Sequence, residues 1–226
     1  MRAVVSVGGS VLVPDLDSGR VTAYADVFES LLDEGYELGL VVGGGRVARQ
    51  YIGAARNIGA NEMALDQIGI GVTRLNARLL IAALGERAAP RPPESYETAA
   101  TALHRGDVPV MGGLVPAQTT DAVAAGLAET VDADLLVYAT SVAGVYSADP
   151  DEDPDATRYD EISTNELVDV IGGIEMSAGS NAPVDLLAAK IIQRSDTRTL
   201  VLDGSDPDRI RRAIIDGDHD GTEVVP

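Results

Sequence analysis

Five short, almost wholly apolar runs recur along the chain, over residues 3–7, 37–42, 108–111, 135–139 and 199–202. A strand apolar on every residue has no side to give to water, so both of its faces must be covered. The segments between these runs, 22–33, 48–58, 62–84, 95–103, 121–130, 163–171, 184–194 and 206–216, carry apolar residues at a spacing near 3.6, several opening on Ser, Thr or Asp. The alternation predicts an α/β fold with a largely parallel central sheet sandwiched by helices. Stretches rich in Pro or Gly, such as 88–93 and 148–156, are short and local, and no repeat interrupts the pattern. A single domain over 1–226 is expected, its two lobes meeting near 135–145.

Charge narrows the partners. With 36 acidic against 17 basic side chains the net charge is -19, which excludes a general binder of nucleic acid or anionic membrane, since both need a basic surface. Sixteen of the basic residues are Arg and one, Lys190, is Lys. An acidic, lysine-poor surface suits molar salt, where the Debye length falls to roughly 3 Å and carboxylate repulsion is screened. A hydrophobic fraction of 45% supplies a core and argues against disorder. The absence of Cys excludes thiolate metal sites and a thiol nucleophile, and two scattered His make an imidazole metal site improbable, so no metal ligands are assigned. Neither a signal pattern nor a run of eighteen apolar residues stands out, which leaves the cytoplasm as the expected compartment.

Each of the first three apolar runs is followed by glycine: Gly8-Gly9-Ser10, Gly43-Gly44-Gly45 and Gly112-Gly113. In a parallel sheet these clusters fall at the carboxyl edge, where ligands bind. Glycine there lets backbone N–H groups close on an anion beside a helix N-terminus, although left-handed turns and tight helix packing select it too. Three clusters at corresponding places point to phosphate. None is a P-loop or a dinucleotide fingerprint, because no Gly-Lys-Ser or Gly-Lys-Thr exists and the glycine spacing is wrong.

Charged and polar residues gather near these loops. Arg46 and Arg49 open the helix after the triple glycine. Asp66, early in a helix rich in Ile, Leu and Ala, is placed to accept hydrogen bonds from ribose hydroxyls or else to sit on a solvated surface. Thr119, Thr120 and Asp121 stand where a helix cap is wanted, yet three polar groups in succession exceed what one cap requires. Lys190, kept as Lys where Arg supplies every other cationic side chain, reads as a compact ammonium for a phosphate. The competing reading is a snorkelling surface residue.

The segments GGSVLVP, VVGGGRVARQYI, DQIGIGVTRLNARLL, PVMGGLVPAQTTDAVAA, ADLLVYATSVAGVYSADP, VDLLAAKII and the GDHDGT ending closely resemble the archaeal uridylate kinases of the amino-acid kinase superfamily, over the whole length. The resemblance implies phosphoryl transfer from ATP to UMP with Mg²⁺, in pyrimidine nucleotide biosynthesis, by a homohexamer built from dimers. UMP would meet Gly44, Asp66 and the loop Leu114, Val115, Pro116, Ala117, Gln118, Thr119 and Thr120, mainly in the N-terminal part. ATP would lie across Gly9, Ser10, Gly45 and Arg49 through its phosphates and across Thr140, Tyr146 and Asp149 through its adenosine, the latter mainly in the C-terminal part. Lys190 would reach the transferring group, with Asp121 and Asp185 orienting it or the substrate.

One departure stands out. Many superfamily members carry a lysine in the first glycine loop, where this chain has Ser6-Val7-Gly8-Gly9-Ser10. That absence keeps a non-catalytic nucleotide or oxyanion binder in view as an alternative, beside kinases of acetylglutamate or isopentenyl phosphate. Against the last, His104 and His219 lie outside the glycine loops.

Overall fold

The computed structural model describes residues 1–148, 150, 153–175 and 184–226. In chain order its elements are β1 (Arg2–Val7), α1 (Gly9–Leu12), α2 (Ser18–Asp33), β2 (Glu37–Val42), α3 (Gly45–Asn57), α4 (Glu62–Leu84), α5 (Tyr96–His104), β3 (Val110–Met111), α6 (Thr120–Thr130), β4 (Leu135–Thr140), β5 (Glu161–Ser163), α7 (Thr164–Glu175), α8 (Leu186–Ser195), β6 (Thr199–Asp203), α9 (Asp208–Ile215) and β7 (Thr222–Val225), with short 3-10 turns at Pro14–Leu16 and Gly85–Arg87. The strands form one sheet in the order β3-β2-β1-β4-β6-β7-β5. Every pairing is parallel except β6 with β7.

Alternation along β1 divides the core into two layers. Val5 and Val7 pack with α2, α9 and the end of α4, among them Phe28, Leu80 and Ile210. Val4 faces the other way, onto α5, α6, α7 and α8 through residues such as Leu103, Leu127, Leu167 and Ile191. The sandwich is therefore the one the apolar runs demand.

Differences from the sequence reading have local causes. The third run forms a strand only over Val110–Met111, because Pro109 has no N–H to donate and contributes its carbonyl alone, to Leu40 N at 2.9 Å. Helix α2 starts four residues early, since Asp17 caps it by accepting from Gly19 N at 2.9 Å. Strands β5 and β7 were not expected. Each is three or four residues long and borrows its stability from tertiary contact: Thr222 Oγ1 accepts from Val145 N at 2.8 Å and donates to Tyr159 O at 2.5 Å. Helix α4 is long and apolar enough by composition to cross a bilayer, which the sequence reading did not register. Here its Ala77, Leu80 and Leu84 are buried in the first core layer.

Candidate active site

The first two glycine loops meet backbone to backbone at the carboxyl edge of β1 and β2. A Cβ added to Gly9 would stand 2.4 Å from both Gly43 O and Gly45 N, and one added to Gly45, whose φ is +62°, would stand 2.4 Å from Gly9 C. No side chain fits between them. Asn76, on the buried face of α4, donates to Gly43 O at 2.9 Å and Gly44 O at 3.2 Å. Because C=O and the following N–H point oppositely across a trans peptide, this turns the Gly44 and Gly45 amides away from α4. Tight packing and anion binding are thus one arrangement here, not rival explanations of the same glycines.

Around these loops lies a cleft of about 230 Å³ lined by Ser6, residues 8–10 and 43–45, Arg49, Thr120, Asp121 and residues 139–141. That is below the roughly 300–1,000 Å³ of pockets that engulf a whole small ligand, so it suits the phosphate end of a nucleotide. Arg49 reaches over it with Nη2 3.3 Å from Ser10 Oγ. Arg46, its neighbour on the same helix, is instead ion-paired with Asp15.

One carboxylate, Asp121, lines the cleft, and a second, Asp185, stands near enough to act on its charge. Thr119 caps α6, its Oγ1 accepting from Ala122 N at 3.1 Å, and Asp185 caps α8, its Oδ1 accepting from Ala188 N at 3.0 Å. The Thr119 hydroxyl also donates to Asp185 Oδ2, which ties the two helix ends together. Asp121, in the first turn of α6, has its pKa pushed up to about 7, first by burial and then by the Asp185 charge, with the Ser6 hydroxyl opposing. Its backbone carbonyl accepts from Tyr138 Oη at 2.8 Å. Burial and the Asp121 and Asp185 charges hold that phenol well above its usual range, so it stays a donor.

A second group of predicted residues forms the loop after β3. Asp66 Oδ2 accepts from Ala117 N at 2.8 Å, and Ala117 sits at φ 63°. Gln118 Nε2 donates to Tyr96 Oη at 2.9 Å, so this side chain is occupied by α5. Leu114 packs against the second core layer, Val115 is exposed, and Thr120 lines the cleft.

Not every expected residue joins the site. Lys190 is exposed on α8, with Nζ 3.3 Å from Gln193 Oε1. It lies five residues past Asp185, roughly 7.5 Å along the helix axis and about 140° around it, on a stripe shared with exposed Leu187 and Arg194. The structure therefore turns it to solvent, away from the face that Asp185 presents to Thr119, and does not place it in the cleft. Thr140 lines the cleft and bonds locally to Val142. Tyr146 is half-buried, bridged to Arg158 outside that lining, and Asp149 lies outside the described residues. Sequence reasoning missed Ser6, Thr73, Arg74, Asn76 and Tyr138. Ser6 was legible as a polar residue inside an apolar strand, and Thr73 and Asn76 as a polar pair three apart in an apolar helix.

Interlocked glycine loops at a parallel-sheet edge, sharing a cleft with an arginine and a buried carboxylate, define a phosphotransferase-type α/β protein. The chain belongs to the amino acid kinase family, whose model matches residues 1–203, and within it to the uridylate kinases. It is 67% identical over 226 residues to the uridylate kinase of Haloarcula marismortui, covering 100% of this chain and 99% of that protein. To the uridylate kinase of Halobacterium salinarum it is 64% identical, covering 100% and 94%. The crystal structure of uridylate kinase from Archaeoglobus fulgidus superposes with a TM-score of 0.89 at 44% identity, covering 100% of both chains. UMP kinase from Bacillus anthracis, at 23% identity and a TM-score of 0.80, shares the fold over 99% of this chain and 95% of that one. Relatives from Haloarcula and Halobacterium agree with the salt-adapted composition.

Proposed function

We propose that the protein transfers the γ-phosphoryl group of ATP to UMP, giving UDP and ADP, as a cytoplasmic enzyme of pyrimidine nucleotide synthesis. The observation that carries this reading is the Gly9–Gly45 interlock standing opposite Asp121 in one cleft, supported by relatives named uridylate kinase along the whole chain. The bond from the β,γ-bridging oxygen to the γ-phosphorus breaks, and one forms from a UMP phosphate oxygen to that phosphorus. Such a transfer needs positioning and fixed charge more than covalent help. The acceptor oxygen is already ionised at neutral pH, so no general base is required, which suits a site without histidine.

In this scheme residues 8–10, 44 and 45 and Arg49 hold the ATP phosphates, while Thr140, Tyr146 and Asp149 take the adenosine. Asp66 and the loop 114–120 hold UMP. Among the described residues no group of three or more His, Cys, Asp or Glu converges, so the protein does not itself complete a cation's shell. Asp121, whose pKa burial and the Asp185 charge push up, nonetheless fits a divalent ion arriving on phosphate oxygens, since Mg²⁺ takes one or two carboxylates beside its nucleotide. Mg²⁺ would there neutralise phosphate charge, with Asp121 and Asp185 as its protein partners. A homo-oligomer, a hexamer by resemblance, would use the exposed apolar Leu75 and Leu79 of α4 as one contact.

The test is ADP release from ATP and Mg²⁺ in molar KCl against a panel of nucleoside monophosphates. UMP should be turned over in preference to the rest; ATP bound tightly with no monophosphate turned over would instead mark a binding protein.

A further inference from the structure

Helix α4 grips the loop after β3 at successive peptide groups. Thr73 Oγ1 accepts from Gly113 N at 2.7 Å and donates to Ile70 O at 2.8 Å. The next residue, Arg74, spends its whole guanidinium on this region: Nε donates to Gly113 O at 3.1 Å, Nη2 to Leu114 O at 3.4 Å, and Nη1 pairs with Glu94 Oε2 at 3.1 Å. Its side chain is 25% exposed. Farther along, the loop is held independently, by Asp66 at Ala117 N and by Tyr96 at the Gln118 side chain.

The direction of these bonds matters more than their number. All peptide bonds among the described residues are trans, so a carbonyl drawn toward Arg74 sends the next N–H the opposite way. With Gly113 O and Leu114 O both turned to α4, the N–H groups of Leu114 and Val115 are directed off it, and among the described residues neither has an acceptor. Two consecutive unpaired amides on one side of a loop are ready donors for an oxyanion or carbonyl. The same device operates in the triple-glycine loop, where Asn76 holds two carbonyls.

We infer that Arg74 is a positioning residue for the phosphate acceptor: it fixes the Leu114 and Val115 peptide planes so that their amides face the acceptor nucleotide. This rests on the reading above that the loop 114–120 holds that nucleotide. A guanidinium suits the task because its rigid planar fork spreads its donors over two carbonyls and a carboxylate in fixed directions, whereas the three donors of an ammonium sit on one atom and rotate. Glu94 anchors the outer edge of the fork and keeps it aligned.

The test compares Arg74→Met and Arg74→Lys with the wild-type chain in high salt. Each substitution should raise the KM for UMP roughly tenfold, the scale of one lost charge-assisted hydrogen bond, and leave the KM for ATP within about twofold. Full recovery in Arg74→Lys would overturn the proposal in favour of simple charge attraction, as would equal changes in both KM values or none. If Arg74→Met does not fold, Glu94→Gln keeps Arg74 in place and should raise the UMP KM alone, by about two- to threefold; an unchanged value there counts against the proposal. Hydrogen exchange of the nucleotide-free chain separates this inference from the function. Loosening the fork should speed exchange at Gly113, whose N–H donates to Thr73 Oγ1, and leave Gly43, whose N–H donates to Val7 O, protected, whether or not UMP proves to be the acceptor, and unaltered exchange at Gly113 would overturn it.

Discussion

Thr119 donates its hydroxyl proton to Asp185 Oδ2 while both residues cap helices of their own. The N-termini of α6 and α8 are thereby joined at the edge of the cleft, and the positive ends of two helix dipoles converge beside a carboxylate. Three consecutive polar residues in Thr119-Thr120-Asp121 thus divide their work. Thr119 caps and couples, whereas Thr120 and Asp121 line the cleft.

Thr119→Val removes both bonds with little change of shape. Loss of the cap should cost about 1 kcal/mol, which for a chain of this size lowers the thermal midpoint by roughly 2–4 °C. Turnover should fall further than this instability explains, because Asp185 loses its orienting partner. Thr119→Ser should restore both; a melting curve indistinguishable from wild type in Thr119→Val would contradict the double role.

Asp121 makes stability depend on pH in an unusual direction. Its pKa is raised from 3.8 to about 7 in the folded chain, so the native state holds this proton more tightly than the unfolded one. The stabilisation is fully present below about pH 3.8 and is lost as pH rises through about 7. Asp121→Asn, neutral at every pH, should match wild-type stability near pH 4 and exceed it at pH 8 in denaturant titrations, while turnover collapses. Equal stability at pH 8 would mean that Asp121 is not strained by burial and by Asp185.

Lys190→Ala distinguishes the sequence reading from the folded geometry. A lysine touching the transferring group would make its removal cost roughly 10²–10³ in turnover. With Nζ on the outer face of α8 beside Gln193, the expected change is less than about threefold. A steady-state assay at saturating ATP and UMP decides between them.

Gly9→Ala should be among the most damaging single changes. The new methyl would lie 2.4 Å from Gly43 O and Gly45 N, all of it backbone that cannot rotate aside. A loss of several kcal/mol in stability, or an insoluble product, is expected, whereas Gly53→Ala, which meets nothing within 4 Å on α3, should be neutral or slightly stabilising. Comparable expression and melting of the two variants would show that the loops are not interlocked.

Much of this arrangement was readable before folding. The apolar runs at 3–7, 37–42, 135–139 and 199–202 became strands at nearly those bounds, since burial on both faces leaves a local compositional mark. Gly9, Gly44, Gly45, Ser10, Arg49, Thr120 and Asp121 do converge on one cleft, because each follows a parallel strand or opens a helix at the same edge. Lys190 lies outside that cleft lining for a reason equally physical: its rarity is a property of composition, but its direction depends on how α8 rotates to bury Ala188, Ala189 and Ile192.

The sequence by itself determined the layered α/β plan, the carboxyl-edge glycine loops and the acidic, salt-tolerant exterior, all of which follow from periodicity, residue type and net charge. Tertiary structure decided which donors and acceptors face each other. Asn76 stands out in the sequence only as a polar residue of an apolar helix, and what it and Arg74 bind is decided when α4 is laid beside two loops 32 and 40 residues away from them in the chain. Their effect depends on the orientation of peptide planes across that distance, and orientation between segments so far apart is a property of packing that no local pattern encodes.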